Sequence, residues 1–209
     1  GLTQSPIINT QNLTEDLNSK IANMRKTVAE NAITLLAKQN DAFFPLSVST
    51  HNKAGDVAVV AIGTSRANEF CKQLISDYNA GVYYFDFNKT TGDADALFNT
   101  LKSKYKKIIV GIHNVSRYPG SNFGISKAAA QLVNRLQNET ESILFLFGNA
   151  YAAKNFCNAK NMVICYEDDA IIQNTAVEFL KGNLEYKGVL PVRVCEKFNY
   201  GFGETTHTS

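Results

Sequence analysis

The sequence predicts an α/β domain: a doubly wound, mostly parallel sheet of about six strands with helices on both faces, a flavodoxin-like three-layer sandwich. Two observations carry that expectation. Short apolar runs alternate with segments of helical periodicity over about 140 of the 209 residues, and strand and helix taking turns is the signature of a parallel sheet covered on both faces. The first run, Val57 to Ile62, is apolar at every position rather than at every second one, as in a strand buried on both sides. At 209 residues and 44% hydrophobic content, the chain is long enough for one sizeable core and short for two ordinary domains.

Taken in order, residues 1–14 are polar and unpatterned, with Pro6 and a helix-capping Thr14, and read as a linker. Leu17, Ile21, Met24, Val28, Leu35 and Leu36 then recur at helical spacing, which predicts one long amphipathic helix of about six turns. The strand Val57 to Ile62 stops at Gly63. Further strands are expected at Val82 to Phe85, Ile108 to Ile112, Ile143 to Phe147 and Met162 to Tyr166. Helices are expected around Phe70, Leu74 and Tyr78; around Leu97, Leu101 and Tyr105; around Ala129, Leu132, Val133 and Leu136; and around Ile172, Ala176, Phe179 and Leu180. Leu190 to Val194 alternates apolar with polar and contains Pro191, which a central strand rejects, so it is expected as an edge strand. The domain then spans 15–198, with 199–209 as a C-terminal tail.

Composition narrows the function. With 21 Lys and Arg against 19 Asp and Glu, the net charge of +2 gives no electrostatic case for nucleic acid. No stretch approaches the roughly 20 apolar residues of a membrane helix, and residues 1–10 lack the basic and apolar regions of a signal peptide, so the chain as written reads as soluble. Cys71, Cys157, Cys165 and Cys195 show no metal or disulfide-scaffold spacing and are expected as buried free thiols. His51, His113 and His207 stand apart without ligand spacing, so no metal site is expected. Four N-x-[ST] triplets, at Asn12, Asn88, Asn114 and Asn138, are what an asparagine-rich chain produces by chance.

In an open parallel sheet, ligands bind beyond the carboxyl ends of the strands, which directs attention to four loops. Gly63-Thr64-Ser65-Arg66 lacks a phosphate-cradling glycine pattern, which disfavours a nucleotide; no cofactor is expected. Val115 to Ser126 is about twice the usual length of such a connection. It offers Ser116, Arg117, Tyr118 and Asn122 as contacts to a polar ligand or another domain; alternatively its aromatics only pack down on the sheet. Asn149 and Tyr151 follow the next strand. Glu167, Asp168 and Asp169 offer carboxylates for acid and base work, or Asp168 or Asp169 caps the helix that begins there.

Several segments together resemble the C-terminal α/β sandwich domain of glycoside hydrolase family 3, over nearly the whole chain. Arg25 to Leu36 followed by Phe44-Pro45-Leu46 is similar to that domain's R-x-x-A-x-x-A-I-x-L-L opening and L-P-L turn. Gly148-Asn149-Ala150-Tyr151 resembles its G-x-P-x turn, with alanine in place of proline. Gly188-Val189-Leu190-Pro191-Val192 resembles its G-x-L-P-V segment, and Phe198 to Gly203 its closing F-x-Y-G-x-G.

The resemblance implies a parent glycosidase in which a (β/α)₈ barrel of the same polypeptide precedes this domain, carries the nucleophilic aspartate and binds the carbohydrate. Gly1-Leu2 resembles the segment leaving that barrel. In the β-glucosidase branch, the acid/base glutamate comes from the loop corresponding to Val115 to Ser126, which here holds no Asp or Glu. That favours the bacterial β-N-acetylglucosaminidase branch, which Asn122 to Ser126 and Cys165 to Asp169 also resemble. No catalytic residue is then expected in this chain, and the fragment alone should be inactive. A periplasmic or extracellular parent is implied by the resemblance. Two alternatives stand beside it, a β-glucosidase of the same family and a free-standing flavodoxin-like module for a small ligand.

Overall fold

The computed structural model describes residues 20–47 and 56–205. The chain runs α1 (Ile21–Ala32), β1 (Thr34–Lys38), β2 (Val57–Ile62), α2 (Glu69–Tyr78), β3 (Gly81–Phe85), α3 (Thr91–Lys104), β4 (Lys107–Ile112), α4 (Lys127–Glu139), β5 (Ser142–Leu146), β6 (Asn161–Ile164) and α5 (Ala170–Leu180). The six strands form one sheet in the order β1-β6-β5-β4-β2-β3. Five are parallel, and β1 pairs antiparallel with β6 at one edge. The predicted sandwich is therefore the observed one.

Two apolar layers clamp this sheet. Phe98 and Leu101 of α3 and Leu132, Val133 and Leu136 of α4 fill one face. Phe70 and Leu74 of α2, Phe179 and Leu180 of α5 and Phe43 fill the other. Strands β2 and β5 are buried at every residue, which is why their sequences are continuous apolar runs. Local signals agree with the long-range pairing. Asn68, Thr90, Ser126 and Asp169 each accept backbone N–H bonds at the start of their helices, and Thr90 and Asp93 form a reciprocal capping box.

Three expectations are corrected. The long first helix ends at Ala32, and Leu35 and Leu36 belong to β1 instead; their spacing continued the helical stripe, but the sheet edge beside β6 captures them. Leu17 lies outside the described residues, as does the 1–14 segment. The edge strand expected at Leu190 to Val194 does not form. That segment is irregular, with Leu190 and Phe198 fully buried on the sheet, Leu190 N–H donating to the Phe202 carbonyl and Glu204 N–H donating to the Leu35 carbonyl. It covers the β1 end of the sandwich where a further helix would otherwise be needed.

The third correction concerns the cysteines. Cys71 and Cys165 are buried free thiols, whereas Cys157 and Cys195 form a disulfide across a sequence separation of 38. Folding brings the 3₁₀ turn Ala150–Phe156 after β5 against the C-terminal segment, a proximity that spacing along the chain does not show. No helix among the described residues is long and apolar enough to cross a membrane.

Candidate functional site at the strand ends

The loops after β4, β5 and β6 converge at the carboxyl edge of the sheet. Between them lies an open crevice of about 690 Å³, walled by Asn114, Arg117, Asn149, Glu167 and Asp168, with Arg25 reaching in from α1. Its floor is Phe147, the first residue beyond β5.

The crevice owes its shape to backbone conformations that few residues adopt. Asn114 has φ 56° and Tyr166 has φ 64°, left-handed values that asparagine tolerates and tyrosine rarely does. Tyr166 is held there by its hydroxyl, 2.7 Å from Thr34 Oγ1. Gly63, at φ +80°, faces the His113 carbonyl, and a Cβ in its place would stand 2.4 Å from that oxygen. Asn114 Nδ2 donates to the Gly63 carbonyl at 2.9 Å, so the turn after β2 is tied to the loop after β4.

Beneath the wall lies a buried polar network. His113 is 1% exposed, stacked on Phe147 with ring centroids 4.5 Å apart. Its Nδ1 lies 2.8 Å from Asp168 Oδ1. Asp168 also accepts from the Asn114 N–H and from Gln173 Nε2, both at 2.8 Å. Burial pushes the Asp168 carboxyl up, but its interactions with His113, the Asn114 N–H and the Gln173 amide together outweigh it and hold the carboxyl below its ordinary range. A group held ionised in this way is a poor proton donor at neutral pH. Histidine beside aspartate resembles part of a catalytic triad, yet His113 Nε2 faces the Asn68 amide at 3.0 Å and no hydroxyl or thiol. The pair is built to brace loops.

Of the residues singled out from sequence, Arg117, Asn149, Glu167 and Asp168 line the crevice. Asn149 Nδ2 donates to the Arg117 carbonyl at 3.1 Å, joining two of its walls. Ser116, Tyr118, Asn122 and Tyr151 stand outside it. Ser116 Oγ accepts the Tyr118 N–H at 3.1 Å, and Asn122 Nδ2 donates to the Ile125 carbonyl at 3.3 Å, so both shape their own loop. Ser121, Asn122 and Phe123 are left-handed in succession, and Phe123 is buried while Tyr118 is 77% exposed. The helix cap is Asp169, whose Oδ1 accepts from the Ile171 and Ile172 N–H groups. Asp168, the neighbouring candidate for that cap, points inward to His113.

Sequence reasoning missed Arg25, Asn68 and Gln173. Arg25 bonds Asp169 and lies 3.5 Å from Glu167, linking α1 to the loop after β6. His113 was legible only as an isolated histidine; the one local signal is Gly111, where a Cβ would stand 2.7 Å from His113 Nε2, so the glycine makes room for the ring. Among the described residues no group of three His, Cys, Asp or Glu side chains is placed to hold a metal ion. His51 and His207 lie outside those residues.

No family model and no curated protein matches this sequence. Solved structures do. The β-glucoside phosphorylase BglX aligns with a TM-score of 0.66 at 16% identity over 91% of this chain and 35% of its own. A glycoside hydrolase family 3 β-N-acetylglucosaminidase from Paenibacillus sp. str. FPU-7 aligns at 0.63 and 15% identity over 93% of this chain and 35% of its own. The fold is shared. A fungal multi-domain enzyme of family 3, also a β-N-acetylglucosaminidase, aligns at 0.67 and 16% identity over 92% of this chain and 21% of its own. The chain thus spans about a third or less of each of these enzymes, and at such identities the likeness is one of fold.

Proposed function

We propose that this chain is the C-terminal α/β sandwich domain of a glycoside hydrolase family 3 enzyme that cleaves β-linked N-acetylglucosaminides with retention, its two catalytic groups standing on a (β/α)₈ barrel N-terminal to it. The observation that carries the reading is the unequal coverage: more than nine-tenths of this chain aligns with about a third or less of two family 3 β-N-acetylglucosaminidases. The ordered segments Arg25 to Leu36, Gly188 to Val192 and Phe198 to Gly203 support the same family.

Retaining glycosidases need a nucleophile and an acid/base group on either side of the scissile bond. The long loop holds no carboxylate, and Asp168 is tied to His113 and kept ionised, so neither supplies a proton donor. The domain then acts by docking on the barrel and shaping the rim of its site with Arg117, Tyr118 and Asn122.

The bare apolar stripe of α1 supports docking: Ile21, Met24 and Val28 are 44%, 65% and 65% exposed, more apolar surface than one helix ordinarily leaves to water. The Cys157–Cys195 disulfide supports a periplasmic or extracellular parent, because such bonds persist in oxidising compartments. A β-glucosidase of the same family is the second reading, favoured by structural likeness to the Listeria innocua β-glucosidase at a TM-score of 0.61.

Alanine at Arg117 and, separately, at the exposed Tyr118 in the complete parent enzyme tests the rim role. A raised KM for an aryl N-acetylglucosaminide with an unchanged melting temperature is expected. Unchanged kcat and KM in both variants would remove that loop from the site.

A further inference from the structure

We infer that His113 is a proton-sensitive positioning residue: it holds the turn after β2 through Asn68 only while its Nε2 is bare, and it keeps its bond to Asp168 in either state. The tautomer follows from the bonds around it. Asn68 Oδ1 accepts the Cys71 N–H at 3.0 Å as the N-cap of α2. A backbone N–H can only donate, so the oxygen of that amide must face Cys71 and its nitrogen must face the imidazole. Asn68 Nδ2 therefore donates to His113 Nε2 across 3.0 Å. An accepting Nε2 carries no proton, which places the ring hydrogen on Nδ1, donated to Asp168 Oδ1.

A second proton on the ring acts differently on its two sides. The Nδ1–H bond to the Asp168 carboxylate, already charge-assisted, becomes an ion pair and tightens. On the other side, Nε2–H then meets the Asn68 N–H₂ group, donor against donor. The contact is relieved when the Asn68 amide turns over, which places its nitrogen against the Cys71 N–H and removes the cap of α2. Acidification thus loosens the turn after β2 while the Asn114–Asp168 wall stays held.

The surroundings isolate this effect in one ring. The packed neighbours are uncharged: Phe70 on α2, Phe147 beyond β5, and Gly111 on β4. From the loop after β6 come Asp168, the charged group bonded to the ring, and behind it the buried Cys165 thiol, which burial and the Asp168 charge both push up and so keep neutral. From α5, Gln173 bridges Asp168 and the Phe70 N–H, at 2.8 and 3.3 Å, and so keeps the first turn of α2 attached when Asn68 lets go.

The inference does not depend on the glycosidase reading, and its test uses this chain alone. With ¹⁵N-histidine labelling and His113→Gln for assignment, the His113 ring is expected to show a protonated Nδ1 and a bare Nε2 at pH 7. On acidification the Cys71 backbone amide is expected to shift with the same midpoint as the His113 ring, and in His113→Gln to lose that transition. If the glutamine variant does not fold, the wild-type titration decides by itself. A proton on Nε2 at pH 7, or a Cys71 amide that stays still while the ring titrates, would overturn the proposal.

Discussion

Cys157 and Cys195 join the turn after β5 to the irregular C-terminal segment, with Cα atoms 6.7 Å apart. That segment covers one end of the sandwich through Leu190 and Phe198, both fully buried, without helix or strand to hold it. Closing a loop across a separation of 38 residues restricts the unfolded chain and stabilises the fold by about 3–4 kcal/mol. Cys157→Ser with Cys195→Ser should lower the unfolding free energy by up to that amount in a denaturant titration, and added reductant should do the same to the wild type. A midpoint unmoved by either treatment contradicts the staple.

Asp168 makes stability depend on pH. Its carboxyl is held below the ordinary 3.8, so the folded state binds this proton less readily than the unfolded chain. The stabilisation is fully present above the unfolded value and is lost as pH falls through the folded one. Asp168→Asn should cost about 1.5–3 kcal/mol at pH 7, the range for a hydrogen bond to a charged group. The variant should also lose less stability than the wild type as pH falls below 3.8. Parallel curves of melting temperature against pH for the two proteins would show that this carboxylate is not the one responsible.

Gly188 is fixed by backbone, not by side chains that could yield. A Cβ there would stand 2.3 Å from the Ile33 carbonyl and 2.5 Å from that of Ala32. Gly188→Ala should therefore destabilise by at least about 1–3 kcal/mol, the ordinary cost of overpacking. Gly120, with nothing within 4 Å of such an atom, provides the control, and Gly120→Ala should stay within about 0.5 kcal/mol. Equal midpoints for the two variants would mean that the junction of α1 and β1 is more yielding than it looks.

Among the described residues, the stripe on α1 is largely open to solvent. Met24→Lys and Val28→Lys should each change the unfolding free energy of this chain by no more than about 0.5 kcal/mol, since both side chains are 65% exposed. In the proposed parent, the same changes should weaken the hold of the domain on its barrel and lower the temperature at which activity is lost. A domain unfolded by either lysine would show that these residues already pack on something within the chain.

Much of this fold was legible because its signals are local. Val57 to Ile62 reads as a buried strand from its residues alone and is one to the residue. The switch from α1 to β1 was not legible: Leu35 and Leu36 continue the spacing of Met24 and Val28, and only pairing with β6, more than 120 residues on, decides that they are strand. The edge strand was sought at Leu190 because alternation and a proline suit an edge, but the edge next to β6 was already occupied by β1. Site residues divided in the same way. Arg117 and Asn149 follow from their place after strands, whereas the bond from His113 to Asp168 spans 55 residues and the disulfide spans 38. Neither pairing leaves a trace in spacing.

The central claim is that this domain serves a family 3 glycosidase whose catalytic groups lie upstream of it. The most direct test is turnover of aryl β-N-acetylglucosaminide and aryl β-glucoside by the complete parent polypeptide and by this chain alone. Hydrolysis of the N-acetylglucosaminide by the parent, with none by the chain, is the predicted result. Turnover by the chain alone, or a parent that cleaves neither glycoside, contradicts it.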